Sequence, residues 1–383
     1  MKINKLQKNI PESWQKVLLA DVCKVNQGLQ IPISERFAEP TKNRKVYITT
    51  QYLNGKSETE YIEDFSASVV CTKDEILMTR TGNSGIVVTG VEGVFHNNFF
   101  KVKPLKNINS KLLVYNLLSP YIQYKLLKLA GASTIPDLNH GDFYSIDLLL
   151  PPLPEQNRIV SVLETWDKAI ENLNKKIEIK KQIKKGLMQD LLTGKKRLSG
   201  FKNKWEVVML GDVCDIKTGK KDVNEGNLDG KYPFFTCAKE HTYSDNYSFD
   251  TEAILIAGNG EVGNCLYYKG KFEAYQRTYV LSNFKKESMY IYPYLNYFFQ
   301  NIINSQKQMG AMPYIKLGML QEFEIKIPKD LNEQKEIAGV LIIVDKEILE
   351  LEKKLSIIKD QKKYLLNNLI TGVIRTPENL SIK

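Results

Sequence analysis

The chain has 383 residues, and 54 Lys+Arg against 44 Asp+Glu give it +10 at pH 7, a length for two or three domains and a charge that suits an anionic partner. Its 43% apolar and 26% charged residues are those of a globular chain with a real core, which excludes the disordered, collagen-like and disulfide-scaffold classes. The five cysteines, Cys23, Cys71, Cys214, Cys237 and Cys265, are odd in number, widely spaced and free of any C-x-x-C pair. Neither a disulfide framework nor a thiolate zinc site is signalled, and a reducing cytoplasm is expected.

In chain order, Met1-Lys2-Ile3-Asn4-Lys5 runs into polar sequence without an apolar signal core, and no apolar run approaches the ~20 residues of a membrane span. A short motif follows, Trp14…Leu19-Ala20-Asp21-Val22-Cys23…Gly28, which returns as Trp205…Leu210-Gly211-Asp212-Val213-Cys214…Gly219, every position shifted by 191. Ile76-Leu77…Gly82…Gly85 matches Ile254-Leu255…Gly260…Gly263 at a shift of 178, so the first copy carries 13 extra residues before this point. Pro154-Glu155-Gln156…Ile159 and Leu191-Leu192-Thr193-Gly194 return as Asn332-Glu333-Gln334…Ile337 and Leu369-Ile370-Thr371-Gly372, again at 178. The chain is therefore a duplicated unit, each copy a globular part followed by a helix.

The globular parts, rich in Tyr, Phe, Val and Ile with many Gly/Asn turn positions, read as mixed domains with several strands. Ser110–Lys128 and Tyr290–Gln308 read as helices inside them. The second part of each copy carries a seam. Ile159, Leu163, Trp166, Ile170, Leu173 and Ile177 step by four and three and resume at Leu187 and Leu191; the partner seam is Ile337, Leu341, Val344, Ile348, Leu351, Leu355, Ile358, Leu365 and Leu369. Pro154 suits a first helical turn, Asn332 an N-cap, and Gly194 and Gly372 left-handed stops. Glu155 to Thr193 spans about 58 Å at ~1.5 Å per residue, too long to be buried in either globular part, so each stripe needs a second helix.

The expected fold is α+β: two mixed α/β globular domains joined by two long helices that form an antiparallel coiled coil, with an internal pseudo-two-fold repeat. The expected boundaries are residues 1–150 and 198–328 for the globular domains, 151–197 and 329–375 for the helices, and 376–383 for a tail. A globular part of ~130 residues has a diameter of roughly 36 Å, about one turn of B-DNA.

Catalytic motifs are missing in their required contexts. Gly258-Asn259-Gly260-Glu261-Val262-Gly263 matches G-x-G-x-x-G after a strand, but a β-rich segment follows where phosphate binding needs a helix N-terminus, so a tight interstrand turn is expected. Thr193-Gly194-Lys195-Lys196 and Thr218-Gly219-Lys220-Lys221 miss the P-loop spacing. Glu324-Ile325-Lys326 lacks the upstream acid of a nuclease site, and His96, His140 and His241 lie outside metal-ligand spacing. No nucleophile elbow and no Asn-Pro-Pro-aromatic loop occurs. The expectation is a non-enzyme without catalytic residues, metal or cofactor of its own. A cationic chain with two diverged globular parts suits DNA reading, with phosphates for affinity and two subsites for sequence.

Two diverged heads, each followed by a Pro-Glu-Gln-type lead-in and a long helix ending in Leu-Leu-Thr-Gly, resemble the specificity subunit of type I restriction-modification systems. The residues that carry this are Leu150-Pro151-Pro152-Leu153-Pro154-Glu155-Gln156-Asn157-Arg158-Ile159-Val160 through Leu191–Gly194, and Ile327-Pro328…Asn332-Glu333-Gln334-Lys335-Glu336-Ile337-Ala338 through Leu369–Gly372. The resemblance covers nearly the whole chain. It implies two target-recognition domains, each reading one half of an interrupted, asymmetric DNA site, with the helix pair as a ruler. It also implies two methyltransferase subunits around the helices and restriction subunits outside them. Adenine methylation with S-adenosylmethionine, and translocation and cleavage with ATP and Mg, would then be partner reactions.

Asn332 departs from the family's proline, and the first seam is polar at Lys180 and Lys184. Residues 155–197 carry 11 basic and 6 acidic groups against 8 and 8 for 330–375, which brings the first helix nearer phosphate unless its charges are a solvated face. Candidate DNA contacts follow from Arg–guanine and Asn/Gln–adenine pairing: Arg80, Asn83, Ser84, His96, Asn97 and Asn98 in the first head, and Asn259, Gln276 and Arg277 in the second. Lys220, Lys221, Lys239, His241 and Tyr243 are expected at phosphate or stacked near the duplex. The competing reading is a coiled-coil structural protein that assembles a complex without touching DNA.

Overall fold

A computed structural model of the chain describes residues 10–131, 136–308 and 314–380. Met1–Lys5 and the last three residues of the expected tail lie outside the described residues. The chain forms two compact units, residues 1–172 with 355–383, and residues 173–354. The two long helices, Leu153–Leu192 and Leu331–Ile370, divide between these units, so each head is packed with one half of each helix.

In the first unit, Gln15–Leu18 pairs antiparallel with Asp147–Leu150. One sheet runs in the order Cys23–Gln27, Phe99–Pro104, Ile76–Thr79, Val87–Val88, and a second in the order Tyr61–Ile62, Lys45–Ile48, Gly93–Phe95, Val70–Cys71. Within the second sheet Lys45–Ile48 and Gly93–Phe95 run parallel. Ser110–Leu118 and Pro120–Ala130 form a helical pair. Asn109 caps the first by accepting the Lys111 N–H at 2.9 Å, and Ser119 with Pro120 in the first turn starts the second.

The second unit repeats this plan with fewer breaks. Trp205–Met209 pairs with Glu324–Pro328. A single six-stranded sheet runs Asp215–Thr218, Thr278–Ser282, Phe249–Ala257, Cys265–Ala274, Tyr232–Phe235, Thr242–Ser244. Phe249–Ala257 and Cys265–Ala274 form one long hairpin. In the first head the same stretches are each split in two. Glu75 folds back onto the Thr72 N–H at 2.9 Å, and Gly90 at φ +78° donates to the Lys73 carbonyl at 3.0 Å, so a local turn interrupts both strands. Ser288–Tyr294, a π turn over Leu295–Phe299 and Gln300–Gln308 supply the helices, as the Tyr290–Gln308 pattern predicts.

Along both long helices the residues of the two apolar stripes are buried or half-buried. Ile159, Leu163, Leu173, Ile177, Leu191, Ile337, Leu341, Val344, Ile348 and Leu369 are buried, and Trp166, Ile170, Leu187, Leu351, Leu355, Ile358 and Leu365 are half-buried. Each fully buried aliphatic chain contributes ~1.5–3 kcal/mol. Ion pairs show that the helix halves run antiparallel in each unit. Lys362 pairs with Asp167 in the first; in the second, Lys180 pairs with Glu347, Lys181 with Glu352 and Lys184 with Asp345. The lysine-rich stretch of the first helix is thus partly neutralised by the acids of the second. Gly194 and Gly372 stop the helices at φ +70° and +72°, where glycine lacks the Cβ penalty. One cap differs from expectation. The cap is Asp330, whose side chain accepts the Asn332 N–H at 2.9 Å, because the helix begins at Leu331, two residues earlier than a cap at Asn332 would start it.

The repeated Glu-Gln pair is explained by two sets of contacts in each unit. Gln156 Oε1 accepts the Asn109 N–H at 2.7 Å and its amide donates to the Pro151 carbonyl at 2.9 Å. Gln334 likewise accepts the Glu287 N–H at 2.9 Å and donates to Pro328 at 2.6 Å. Glu155, 3% exposed, accepts the Trp14 indole N–H at 2.9 Å and both arms of Arg375 at 2.5 and 2.7 Å. Glu333, fully buried, accepts Trp205 at 3.3 Å and Arg197 at 2.6 and 2.8 Å. Burial pushes the Glu155 carboxyl up, but the Arg375 and Trp14 hydrogen bonds and the Arg375 charge outweigh it and hold it below the usual range. In each unit one helix start, one helix end and the first strand of a head meet at a single carboxylate.

Candidate nucleic-acid interface

Both heads build one loop cluster at corresponding positions. Gly28 packs on the carbonyl of Phe95, and Gly219 on that of Ala274. A Cβ at these glycines would lie 2.2 and 1.8 Å from the respective oxygen atoms. This close approach brings the lead-in strand against the turns His96–Asn98 and Tyr275–Arg277. The turns then meet the glycine-containing hairpins: the Arg80 N–H donates to the Asn98 carbonyl at 2.7 Å, and the Gly258 N–H to the Arg277 carbonyl at 2.9 Å. The stretch Gly258–Gly263 is a hairpin turn, closed by Gly263 N–H to the Ala257 carbonyl at 2.8 Å and followed by a strand. It has no helix N-terminus to bind phosphate.

The first-head candidates divide by what their side chains already hold. Arg80 donates to Asp137 at 2.7 Å and to the Leu138 carbonyl at 3.1 Å, over the Phe100 ring. Ser84 is buried and donates to the Arg80 carbonyl at 2.7 Å. These two build the turn. Asn83 is exposed at its tip. His96 accepts the Asn98 N–H through Nδ1 at 3.0 Å, and burial, with the Arg36 charge, lowers its pKa. With Nδ1 accepting, Nε2 is the ring nitrogen left to donate. His96 and Asn98 line a cavity of about 520 Å³ with Arg36, Thr49 and Gln51. Asn97 donates to Gln30 at 3.0 Å while its buried Oδ1 has no partner among the described residues.

The second-head candidates gather at the corresponding end. Lys221 reaches Ser244 at 3.0 Å and the buried Glu273 at 3.6 Å, while its carbonyl takes the Gln276 N–H at 3.0 Å. Lys220 is exposed beside it. Lys239, His241 and Tyr243 line a cavity of about 490 Å³ with Thr278, and His241 sits 5.2 Å from the Tyr243 ring. Asn259 is half-buried in the hairpin turn; Gln276 and Arg277 are exposed. Gln51 and Arg36 carry no sequence signal, since no periodicity marks them. Arg197 and Arg375 do carry one, because their separation of 178 matches that of their partners Glu155 and Glu333.

The cysteines are free and buried, and burial pushes the thiols of Cys23, Cys71, Cys214 and Cys265 up to about 12, the behaviour of inert core residues. Among the described residues no group of three His, Cys, Asp or Glu could hold a metal ion, and no helix is long and apolar enough to cross a membrane.

Compared with known proteins, residues 11–181 and 202–359 each match the type I restriction modification DNA specificity domain. The chain belongs to this family. It is 26% identical over 404 residues to the type I restriction enzyme MjaVIII specificity subunit of Methanocaldococcus jannaschii, covering 96% of this chain and 94% of that protein. It is 37% identical over 137 residues to the EcoDI specificity subunit of Escherichia coli, covering 36% of this chain and 30% of that one. The fold matches the crystal structure of a type I restriction-modification S subunit from M. genitalium with a TM-score of 0.64 at 19% identity, over 95% of this chain and 97% of the other. The chain is a specificity subunit of the type I kind, built from two specificity domains and two long helices. The two matched segments coincide with the two copies of the sequence repeat.

Proposed function

We propose that each head reads one half of an interrupted, asymmetric DNA site, and that the paired helices set the distance between the halves and carry two methyltransferase subunits. The observation that carries this is the recurrence, in two heads of one family, of one loop cluster whose residues differ at the tips while the supporting backbone contacts stay the same. A reader of two different half-sites needs that combination. In this reading Asn83, His96, Asn97 and Asn98 in the first head and Lys220, Lys239, His241, Tyr243, Asn259, Gln276 and Arg277 in the second face DNA. Arg80, Ser84 and Lys221 hold the loops that present them. Methylation with S-adenosylmethionine, and ATP- and Mg-dependent translocation and cleavage, are the work of methyltransferase and restriction subunits, in the cytoplasm.

The test is a salt titration of DNA binding by the purified chain with its methyltransferase subunit, followed by fluorescence anisotropy. Affinity should fall linearly in log–log form with salt, by a factor of roughly 10³ or more between 50 and 200 mM if six or more phosphates are contacted. Absent or salt-insensitive binding would favour a scaffold that does not touch DNA.

A further inference from the structure

Of the 54 basic residues only seven are arginine. Lysine is this chain's default cation, and arginine is kept for work that needs a planar, forked donor. Five of the seven have that work, and a sixth, Arg158, makes a single bond. Arg197 and Arg375 grip Glu333 and Glu155 with two arms each. Arg36 holds Glu60 and the Ile31 carbonyl, Arg44 holds Glu63, Arg80 holds Asp137, and Arg158 donates to Thr376. Arg277 alone makes no side-chain hydrogen bond, ion pair or ring contact with any described residue.

Its backbone is the opposite of loose. The Arg277 carbonyl accepts the Gly258 N–H at 2.9 Å and the Cys237 thiol at 3.3 Å. On either side, the Tyr275 N–H is held by the Phe235 carbonyl at 3.0 Å, the Gln276 N–H by Lys221 at 3.0 Å and the Thr278 N–H by Tyr275 at 2.8 Å. Thr278 Oγ1 adds a bond to Phe235 at 3.1 Å. A guanidinium without a partner among the described residues thus stands on a fixed platform at the tip of the candidate interface. At the corresponding position the first head carries Asn98, whose carbonyl makes the same bond, to Arg80.

We infer that Arg277 is the base-reading residue of the second head and that it reads a guanine in the major groove, through O6 and N7. This rests on the DNA-reading function proposed above. The guanidinium fork matches the two guanine acceptors, whereas a lysine would serve a phosphate equally well. The pinned backbone keeps the ordering cost of the contact low. No first-head arginine is uncommitted, so that half-site has to be read by other groups.

The experiment is methylation profiling of the reconstituted methylation complex carrying the wild-type chain, Arg277→Ala or Arg277→Lys, with competition binding on oligonucleotides bearing 7-deazaguanine. The wild-type motif should contain a guanine in one half that both variants cease to specify, with discrimination at that base falling roughly 10- to 100-fold and the other half unchanged. Replacing that guanine by 7-deazaguanine should weaken wild-type binding and leave the alanine variant indifferent. Equal weakening of matched and mismatched DNA by Arg277→Ala would make this a phosphate contact and overturn the inference; a motif retained by Arg277→Lys would show that the guanidinium fork is not what reads the base, and would overturn it too. So would an unchanged motif in Arg277→Ala. Failure of the wild-type chain to bind DNA in the salt titration is a separate result, and it would remove the underlying reading first.

Discussion

The two heads share a frame and differ at the tip. Each sets its lead-in glycine on a strand carbonyl, caps its helices through the Glu-Gln glutamine and anchors its first tryptophan on the Glu-Gln glutamate. The sheets above this frame diverge: one unbroken hairpin in the second head, turns at Thr72–Glu75 and Gly90 in the first. At the tips, His96-Asn97-Asn98 stands where the other head has Tyr275-Gln276-Arg277. Contacts that hold a loop in place recur in both heads, and residues that meet solvent there do not. A protein that must present two different surfaces from one scaffold is expected to separate them in this way.

The strongest way to break that frame is at the paired glycines. Gly219→Ala and Gly28→Ala put a methyl group against backbone that cannot swing aside. Each should cost about 4 kcal/mol or more, the range of exceptional substitutions, as read by urea denaturation; losses under about 1 kcal/mol would show that the approach is not obligatory. Ile337→Ala and Ile159→Ala, both fully buried, should each lose about 2–5 kcal/mol. Unequal losses would sharpen the comparison by showing which unit relaxes around the void.

Removing a clasp should cost less. Glu333→Ala leaves Arg197, 29% exposed, able to reach water, so about 2–3 kcal/mol is expected rather than the full penalty of a stranded buried charge. Tryptophan fluorescence would report it through the displaced Trp205.

The first clasp also predicts a pH response. Because the Glu155 carboxyl titrates lower in the folded chain than in the unfolded chain, where the value is about 4.3, its contribution is fully present above that pH. It is lost as pH falls through the folded value. Wild type should lose stability more steeply than Glu155→Gln below about pH 4.5; equal slopes would mean that the clasp carries no proton-linked stability. The smallest effect is at the helix pair. Lys180 and Glu347 are 30% and 46% exposed, and the counterpart of Lys180 is Ile358. Lys180→Ile should change stability by no more than about 1 kcal/mol, measured by thermal melting.

Part of the candidate site is legible in the sequence. His96–Asn98 and Gln276–Arg277 were reachable because amide and guanidinium side chains flank repeated glycine turns. Their use was not, since Arg80 and Arg277 look alike in sequence and only Asp137, 57 residues away, separates a structural arginine from an available one. Lys221 and Lys220 are adjacent, yet the first turns inward to Ser244 and Glu273 while the second is exposed. Sequence spacing does not encode which neighbour has a carboxylate waiting across the sheet.

The sequence by itself determined the duplication, the two helices, their seams and their glycine stops, because helical period and left-handed backbone are local properties that residue type dictates. Constant shifts of 191 and 178 residues are visible without any fold. Only the tertiary structure decided that Glu155 and Glu333 are the points where strand, helix start and helix end converge, that the lysines of the first helix are met by acids of the second, and which arginine has no partner among the described residues. Those are long-range pairings, set by packing between segments up to 362 residues apart.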